Sequence, residues 1–259
     1  MMNSLERLQA FEEFLNSCDS TKYGEKQWVG CGNPLAPILI VGKEPAIDAD
    51  TDEKIQEEIQ KDITRARRCF ENGDLTRLFI QEYNSVRGST WRKYQALFDY
   101  ILYGEIIQRL PKQNLPFGAW TFITEMNNTV SLKSDKAKKN LIRRKQLFAD
   151  CNFFRDFSVV ILACGKDYIN NDVNHLEINN IFKVTFDMDG KERIGAHEEF
   201  GKGKEFYVHH SDDDKRLVIH TSHLGCFRSE EPLKEMAAII RQHLKEQGKF
   251  PNLFWEEAD

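Results

Sequence analysis

The sequence contains neither a long apolar run nor a recognisable export signal. Its apolar stretches fall well short of the roughly 18 consecutive residues that a membrane span needs. The N-terminal segment MMNSLERLQAFEEF has neither the basic part nor the apolar part of a secretion signal. These absences argue against a membrane-spanning protein and predict one that stays in the cytoplasm.

Closely spaced cysteine pairs are also absent, although the chain has six cysteines. They are Cys18, Cys31, Cys69, Cys151, Cys164 and Cys226. Their scattered positions give no zinc site or redox dithiol, so reduced and mostly buried thiols are expected. A metal site is weakly supported by histidines, because His209 and His210 would point to opposite faces of a strand and His220 and His223 have no third ligand. We therefore predict no metal and no cofactor.

The chain has no excess of positive charge. Its net charge of -5 argues against a protein that coats nucleic acid non-specifically, because that binding depends on Lys and Arg neutralising phosphates. One local exception is the basic run at 133–145, where seven Lys and Arg residues are opposed by Asp135 alone. A solvated helix face is the preferred interpretation of this run, and a phosphate track is the alternative.

Short apolar segments alternate with helical patterns along the chain. Residues 37–41, 120–124, 159–163 and 216–220 are typical of buried strands. Helices are predicted at 5–15, 52–70, 75–83, 94–110, 141–153 and 231–246. This alternation predicts an α/β fold, a three-layer αβα sandwich with a central, mainly parallel four-stranded sheet.

No repeat or low-complexity linker divides the 259 residues, which include 18 Phe and 4 Trp and suffice for one substantial core. We therefore predict one domain over 1–259, with an insertion at about 48–90 and a polar hairpin insertion at about 186–215. We expect the protein to be a monomer.

Polar residues follow the predicted strands, and ligands of such folds bind beyond the carboxyl ends of the strands. After the first strand, Gly42 permits a sharp turn, Pro45 stiffens the loop, and Glu44 can orient a water molecule. The alternative is a surface turn in which Glu44 pairs with Lys43 or caps the next helix. A third predicted strand ends at the Cys164-Gly165-Lys166 tip.

Two further tips carry candidate binding groups. His220 can donate a hydrogen bond to a leaving group, and Thr221 and Ser222 can hold a phosphate, unless they form a helix N-cap. Asn127 can read the edge of a base with one donor and one acceptor, although Asn127 and Asn128 equally suit a turn.

Three segments resemble motifs of the uracil-DNA glycosylase superfamily in their order along the chain. GCGNPLAPILIVGKEPA resembles the first motif, in which an apolar strand runs into a Gly-x-x-Pro loop with a water-orienting carboxylate. FITEMNNTV resembles the motif whose Asn recognises the extruded base, and HTSHL resembles the His-Pro-Ser-x-Leu motif. RRKQLFADCNFFRDFSVVILACG is similar to the family's helix and third strand. The resemblance covers residues 30–244, with a long insertion after Ala46.

The resemblance implies a DNA glycosylase that extrudes uracil or another deaminated base from single- or double-stranded DNA and hydrolyses its N-glycosidic bond. Glu44 and His220 would be the catalytic residues. The substrate-binding positions would be Gly42, Lys43, Pro45, Ala46, Glu125, Asn127, Thr221 and Ser222, together with Trp91 as our candidate for a stacking platform. Glu44 and His220 are then expected to face each other across one cleft.

Several positions depart from the family's pattern. The direct alignment places Glu125 where the base-reading Asn stands, and a carboxylate there would repel the O4 lone pairs of uracil and prefer a base with a donor. Thr221 replaces the proline, and Ala46 replaces a residue that in some families excludes the methyl group of thymine. These departures keep open a protein that binds nucleic acid or nucleotides on the same fold without catalysis. A third interpretation is an unrelated enzyme of nucleotide-sugars or small phosphates.

The iron-sulfur members of the superfamily use four cysteines. Cys18 and Cys151 resemble two of these positions, while Thr129 stands where another would fall. Two thiols cannot hold a four-thiolate cluster, so no cluster is expected.

Overall fold

The computed structural model describes residues 2–43, 45, 47, 49, 51–78, 89–108, 117–128, 141–169, 176–186, 193–194, 206–227 and 229–250. Glu44, Ala46 and Thr129 therefore lie outside the described residues, as does most of the basic run, at 133–140. No helix within these ranges combines the length and the apolar character that crossing a membrane requires.

One mixed sheet organises the described residues. Its eight strands are β1 (Cys31–Gly32), β2 (Ile38–Gly42), β3 (Thr121–Glu125), β4 (Val159–Leu162), β5 (Thr185–Phe186), β6 (Arg193–Ile194), β7 (Phe206–His210) and β8 (Leu217–Thr221). Seven of them follow the order β1-β3-β2-β4-β8-β7-β5, and β6 pairs with β7. The neighbours β3, β2, β4 and β8 run parallel to one another, whereas β1, β5, β6 and β7 pair antiparallel.

The four predicted strands form the parallel centre, and each begins within one residue of its predicted start. The expectation of a four-stranded sheet was nevertheless too small, because four more strands extend it on both sides. β1, β5 and β6 are two residues long, which is too short for hydrophobic alternation to indicate a strand. β7 lies in the segment predicted as a polar hairpin, and it pairs along its length with β8.

Seven α-helices accompany the described strands. They are α1 (Ser4–Asp19), α2 (Asp52–Glu71), α3 (Ser89–Leu102), α4 (Phe117–Trp120), α5 (Leu141–Asp150), α6 (Leu176–Phe182) and α7 (Glu231–Glu246). α7 has its predicted bounds, whereas α3 begins earlier than predicted and ends at Leu102, two residues before Gly104 with its positive φ of 83°. The helix predicted at 75–83 begins as a 3₁₀ turn at Leu75–Leu78, and the remaining residues lie outside the described part.

Successive residues of the central strands belong in turn to two hydrophobic clusters, one on each face of the sheet. Leu39 and Val41 of β2 belong to the cluster that includes apolar side chains of α1, α2, α5 and α6, which we call the first face. Ile38 and Ile40 belong to the cluster with side chains of α3 and α7, which we call the second face. Burial on both sides explains why the central strands are continuously apolar. The register of their pairing aligns their carboxyl ends.

The amino end of the sheet, where β2, β4 and β8 begin, is closed by a buried arginine. Arg7 of α1 donates from Nε to Pro34 O at 2.8 Å and from Nη2 to Ala36 O at 2.6 Å. Its Nη1 lies 3.1 Å from Asp156 Oδ2, and both side chains are buried. The backbone N–H of Met2 also donates to Asp156. This network fixes α1 to the loops that precede β2 and β4.

Candidate functional site

The loops after β2 and β3 are joined beyond the ends of the strands. The Met126 N–H donates to Gly42 O, and the Asn127 N–H donates to Lys43 O, each at 2.9 Å. The parallel pairing therefore continues into the two loops that carry predicted site residues. Gly42, Lys43, Glu125 and Asn127 are brought together as neighbours.

The loops after β4 and β8 meet in the same way. The Gly165 N–H donates to Thr221 O at 2.9 Å. Gly165 has a φ of 75°, and a Cβ built on it would lie 3.8 Å from Ser222 Cα. Because β2 also pairs with β4, the four loop tips lie along one line, which we call the carboxyl end of the sheet. Thr221 is buried and Ser222 is partly exposed there.

The Glu125 carboxylate lies directly over Gly42. A Cβ built on Gly42 would stand 2.1 Å from Glu125 Oε2, so the absence of a side chain at position 42 makes room for the carboxylate. Burial raises the pKa of Tyr94 well above its ordinary value, and the nearby Glu125 charge adds to the rise. Burial, again with a contribution from Glu125, raises the pKa of the Cys164 thiol to about 12. Tyr94 and Cys164 therefore remain protonated beside this carboxylate at neutral pH.

The two asparagines after β3 have different surroundings. Asn127 is fully buried, and its backbone is held by Lys43. Asn128 accepts from the Trp28 N–H at 2.5 Å and donates to Lys26 O at 2.6 Å. Asn128 thus fastens the segment before β1, a structural role that neither the base-reading nor the simple-turn interpretation foresaw.

Arg144 of α5 supports the tip of β3 from the first face. Its Nε donates to Glu125 O at 2.9 Å and its Nη2 donates to Thr124 Oγ1 at 2.7 Å. The side chain is completely buried, and desolvation lowers its pKa despite opposing contributions from Cys18, Glu125 and Asp62. For Arg144, the interpretation as part of a solvated helix face and the interpretation as part of a phosphate track are therefore both wrong.

The other described members of the basic run also make internal contacts. A Cβ on Gly24 would overlap the Arg143 guanidinium, so that group packs against the glycine. Lys145 Nζ lies 2.7 Å from Glu177 Oε1. Sequence charge alone could not reveal these contacts, because Gly24 and Glu177 come from distant segments.

Lys43 and His223 form a basic group above the tips. Lys43 Nζ lies 5.5 Å from the centroid of the Tyr168 ring. His223 Nε2 lies 3.2 Å from Thr90 Oγ1, at the start of α3. The Tyr168 N–H donates to Gly165 O, and the Gly165 N–H donates to Thr221 O, so the Tyr168 ring under Lys43 belongs to the tip next to that of His223. Desolvation lowers the pKa of His223, and the charge of Lys43 lowers it further. Lys43 is one of the predicted binding residues. Thr90 and Tyr168 are not, and His223 was considered only as a weakly supported metal ligand, although Thr90 adjoins Trp91 and His223 lies within the HTSHL segment.

His220 lies inside β8 and is only 2 % exposed. Its ring stacks on Tyr207 of β7 with a centroid separation of 6.1 Å and an interplanar angle of 27°. Val218 belongs to the first face, so the alternation of the strand places His220 on that face also. Gly42 and Glu125 each stand two residues after a residue of the second face, Ile40 and Ile123 respectively, and therefore lie on that face. His220 and Glu125 therefore approach the carboxyl end from opposite faces of the sheet.

The remaining predicted residues lie around these groups. Trp91 is half-buried, and its ring contacts Tyr94 at 5.8 Å and Phe117 at 6.2 Å between centroids. Pro45 is buried. Because Glu44 lies outside the described residues, its expected position opposite His220 stays a prediction.

Among the described residues, no three His, Cys, Asp or Glu side chains are grouped so that they could hold a metal ion. Cys18 and Cys151 are both buried in the cluster of the first face. No protein-family model matches the sequence, and no curated protein matches it either.

Proposed function

We propose that the carboxyl end of the sheet binds nucleic acid, accepts an extruded base and hydrolyses its N-glycosidic bond, as a divergent DNA glycosylase would. The observation that carries this proposal is the convergence of four loop tips, distant in sequence, along one line. We also propose the three-layer αβα arrangement of the uracil-DNA glycosylase superfamily, which is supported by helices on both faces of the sheet.

The proposed reaction adds water to the anomeric carbon of the sugar. The C–O bond forms as the C–N bond breaks, and the base leaves with the bonding electron pair. Glu44 would orient the water and stabilise positive charge on the sugar, and His220 would donate a hydrogen bond to the departing base. The water proton would pass to Glu44 and finally to the base nitrogen. Ser222 would hold a flanking phosphate.

Glu125 would select the base. Its carboxylate can only accept hydrogen bonds when ionised, so it favours a base edge that presents an N–H donor. Gly42 leaves the space in which this carboxylate lies, and Arg144 holds the Glu125 backbone from behind. Asn127 would be the second base-reading residue, and Trp91 would be the stacking surface at the rim.

A second candidate function is nucleic-acid or nucleotide binding without catalysis. The burial of His220, and its position on the face opposite to Glu125, favour this candidate. An imidazole that acts on the leaving base must reach a base bound beside Glu125. For catalysis, His220 would therefore have to turn past the end of β8 when substrate binds.

The test uses the full chain and single- and double-stranded oligonucleotides that contain uracil, hypoxanthine, xanthine or mismatched thymine. Abasic sites are cleaved with alkali after incubation, and the fragments are separated by size. Glu44→Ala and His220→Ala are compared with Glu58→Ala and His210→Ala, which remove an acidic group and an imidazole whose side chains are 31 % and 44 % exposed. We expect cleavage in the parent and both controls, with a loss of at least about 100-fold in the site variants.

Each other outcome has a defined meaning. Cleavage that survives both site substitutions would eliminate the proposed roles of Glu44 and His220. Oligonucleotide binding without cleavage would replace the glycosylase by the second candidate. Failure to bind any of the oligonucleotides would reject both and favour an unrelated α/β enzyme.

A further inference from the structure

Lys43 differs from most lysines whose contacts the structure describes. Lys26 and Lys145 lie 2.8 Å from Asp19 and 2.7 Å from Glu177, respectively. Lys43 instead lies over the Tyr168 ring, and it has no ion pair with any residue in the described ranges. Its ammonium group is thus positioned at the carboxyl end of the sheet without an acidic partner from the described residues.

His223 brings a second basic group to the same place. Its Nε2 is engaged by the Thr90 hydroxyl at 3.2 Å, which leaves Nδ1 as the nitrogen available to a ligand. The proximity of Lys43 disfavours protonation of this ring. Two neighbouring basic groups repel each other when both are charged, and an anion bound between them turns that repulsion into two attractions.

We propose that Lys43, His223 and Thr90 form a phosphate-binding site at the carboxyl end of the sheet. The inference rests on the proposed function, since the ligand would be a phosphate of the nucleic acid whose base enters beside Glu125. A phosphate offers several acceptor oxygens to three different donors: the ammonium of Lys43, the Nδ1–H of protonated His223 and the hydroxyl of Thr90. The site extends the proposed grip of Ser222, which follows Thr221 on the neighbouring tip.

Such a site does not require the protein to have a basic surface. A single phosphate contact requires few positive charges, whereas non-specific coating of a strand requires many. A chain with a net charge of -5 can therefore bind one strand through a local contact. The same donors could accept a free phosphate monoester, so the experiment must separate a phosphate within a strand from a free one.

The full chain is titrated into a fluorescent single-stranded oligonucleotide that contains only normal bases, over a series of salt concentrations. Lys43→Met, Thr90→Val and His223→Gln are compared with the parent. The matched control is Lys234→Met, because Lys234 also lies over a tyrosine ring, with its Nζ 5.8 Å from the Tyr100 centroid, but has Glu231 as an ion-pair partner. Lys43→Arg tests whether restoring the charge restores binding.

For Lys43→Met we expect about a tenfold loss of affinity at low salt and a decrease of about one in the slope of log affinity against log salt concentration. Thr90→Val and His223→Gln should lose about threefold to tenfold each. Lys43→Arg should recover most of the affinity, and Lys234→Met should match the parent. Equal losses for Lys43→Met and Lys234→Met, or an unchanged salt slope for Lys43→Met, would overturn the proposal.

Inorganic phosphate identifies the source of the ligand. If millimolar phosphate protects the parent against thermal unfolding more than it protects Lys43→Met, while oligonucleotide affinity is the same for both, the site exists but takes a free phosphate. If neither phosphate nor the oligonucleotide distinguishes the two proteins, there is no phosphate site. Base excision plays no part in these readouts, so a failed glycosylase assay and a failed phosphate site are separate results.

Discussion

The two ends of the sheet both carry charged residues, but they use them differently. At the amino end, Arg7 has Asp156 and two backbone carbonyls as partners. Arg216 donates from Nη1 to Phe182 O at 2.5 Å. At the carboxyl end, Lys43 lies over the Tyr168 ring, and His223 contacts the Thr90 hydroxyl. The basic side chains of the amino end are thus bonded within the fold, whereas Lys43 at the carboxyl end has no ion pair with any residue of the described ranges.

The volume of a hollow does not by itself indicate which end is functional. A depression of about 680 Å³ lies at the amino end and is lined by equal numbers of basic and acidic residues. The acidic residues are Glu6, Glu13, Asp156 and Asp213, and the basic ones are Arg155, Lys183, Lys215 and Arg216. This balance, together with the ion pairs, suits a structural region better than a binding site for a charged ligand.

Substitution of Arg7 should produce the largest loss of stability. Arg7→Met leaves Asp156 buried without its cation, so we expect the free energy of unfolding in urea to fall by about 3–5 kcal/mol. Lys61→Met, which removes an exposed lysine paired with Glu58, should change it by less than about 0.5 kcal/mol. Oligonucleotide affinity of folded Arg7→Met should remain that of the parent. A weakened affinity would show that the two ends of the sheet are not independent.

Arg144 should affect both stability and the site. Arg144→Met removes the donors to Glu125 O and Thr124 Oγ1, and we expect unfolding measurements to show a loss of about 1–3 kcal/mol. Because the Glu125 backbone is then unsupported, discrimination between bases should also weaken. Arg144→Lys should recover little of either property, since an ammonium cannot reproduce the planar geometry of two guanidinium donors. Unchanged base discrimination in a folded Arg144→Met protein would assign Arg144 to stability alone.

Much of the fold could be predicted from local sequence. The central strands are continuous apolar runs, and α7 has a clear amphipathic pattern, so both carry a strong periodic signal. β1 and β5 carry almost none, because a two-residue strand is defined by its partner and not by its own residues. The number of strands in the sheet could therefore not be predicted, because it depends on pairing between segments that are distant in sequence.

The site was predictable only in part. The rule that parallel strands present ligand-binding residues beyond their carboxyl ends correctly grouped Gly42, Glu125 and Thr221 at that end. It could not reveal that the side chain of Thr90, 133 residues from His223 in the sequence, contacts the His223 ring. Nor could it place Arg144 behind β3, since a basic residue within a basic run has the sequence pattern of a solvated helix.

Gly42→Ala tests the position of the Glu125 carboxylate with little effect on the fold. The backbone of Gly42 does not adopt a positive φ, so alanine should change the free energy of unfolding by less than about 1 kcal/mol. The new Cβ must displace the carboxylate, and we expect discrimination between bases to fall about tenfold, equivalent to one charge-assisted hydrogen bond. The discrimination between bases is measured by competition binding of oligonucleotides that present different extruded bases.

A double-variant cycle provides the control for Gly42→Ala. Glu125→Gln keeps the shape of the side chain and removes its charge. If alanine acts by moving this carboxylate, the effects of Gly42→Ala and Glu125→Gln on base discrimination should be far from additive. Fully additive effects would mean that the alanine perturbs another part of the site.

The smallest expected effect concerns two histidines with lowered pKa values, one at each end. Burial and Lys43 lower the pKa of His223, while burial and His210 lower that of His243, which lies near Ser158 and Lys215 at the amino end. Because the unfolded chain binds these protons more readily, each ring contributes stability above about pH 6.5 that is lost as the pH falls through the folded pKa.

Both His223→Gln and His243→Gln should therefore lose less stability than the parent when the pH is lowered from 7.5 to 5.5, in thermal unfolding followed by circular dichroism. The groups that face His223 are Thr90 of α3 and Lys43 after β2. Bound phosphate would favour the protonated ring and raise its pKa, so added phosphate should reduce the acid-side loss in the parent and in His243→Gln but not in His223→Gln. Equal protection of all three proteins would mean that His223 does not bind phosphate.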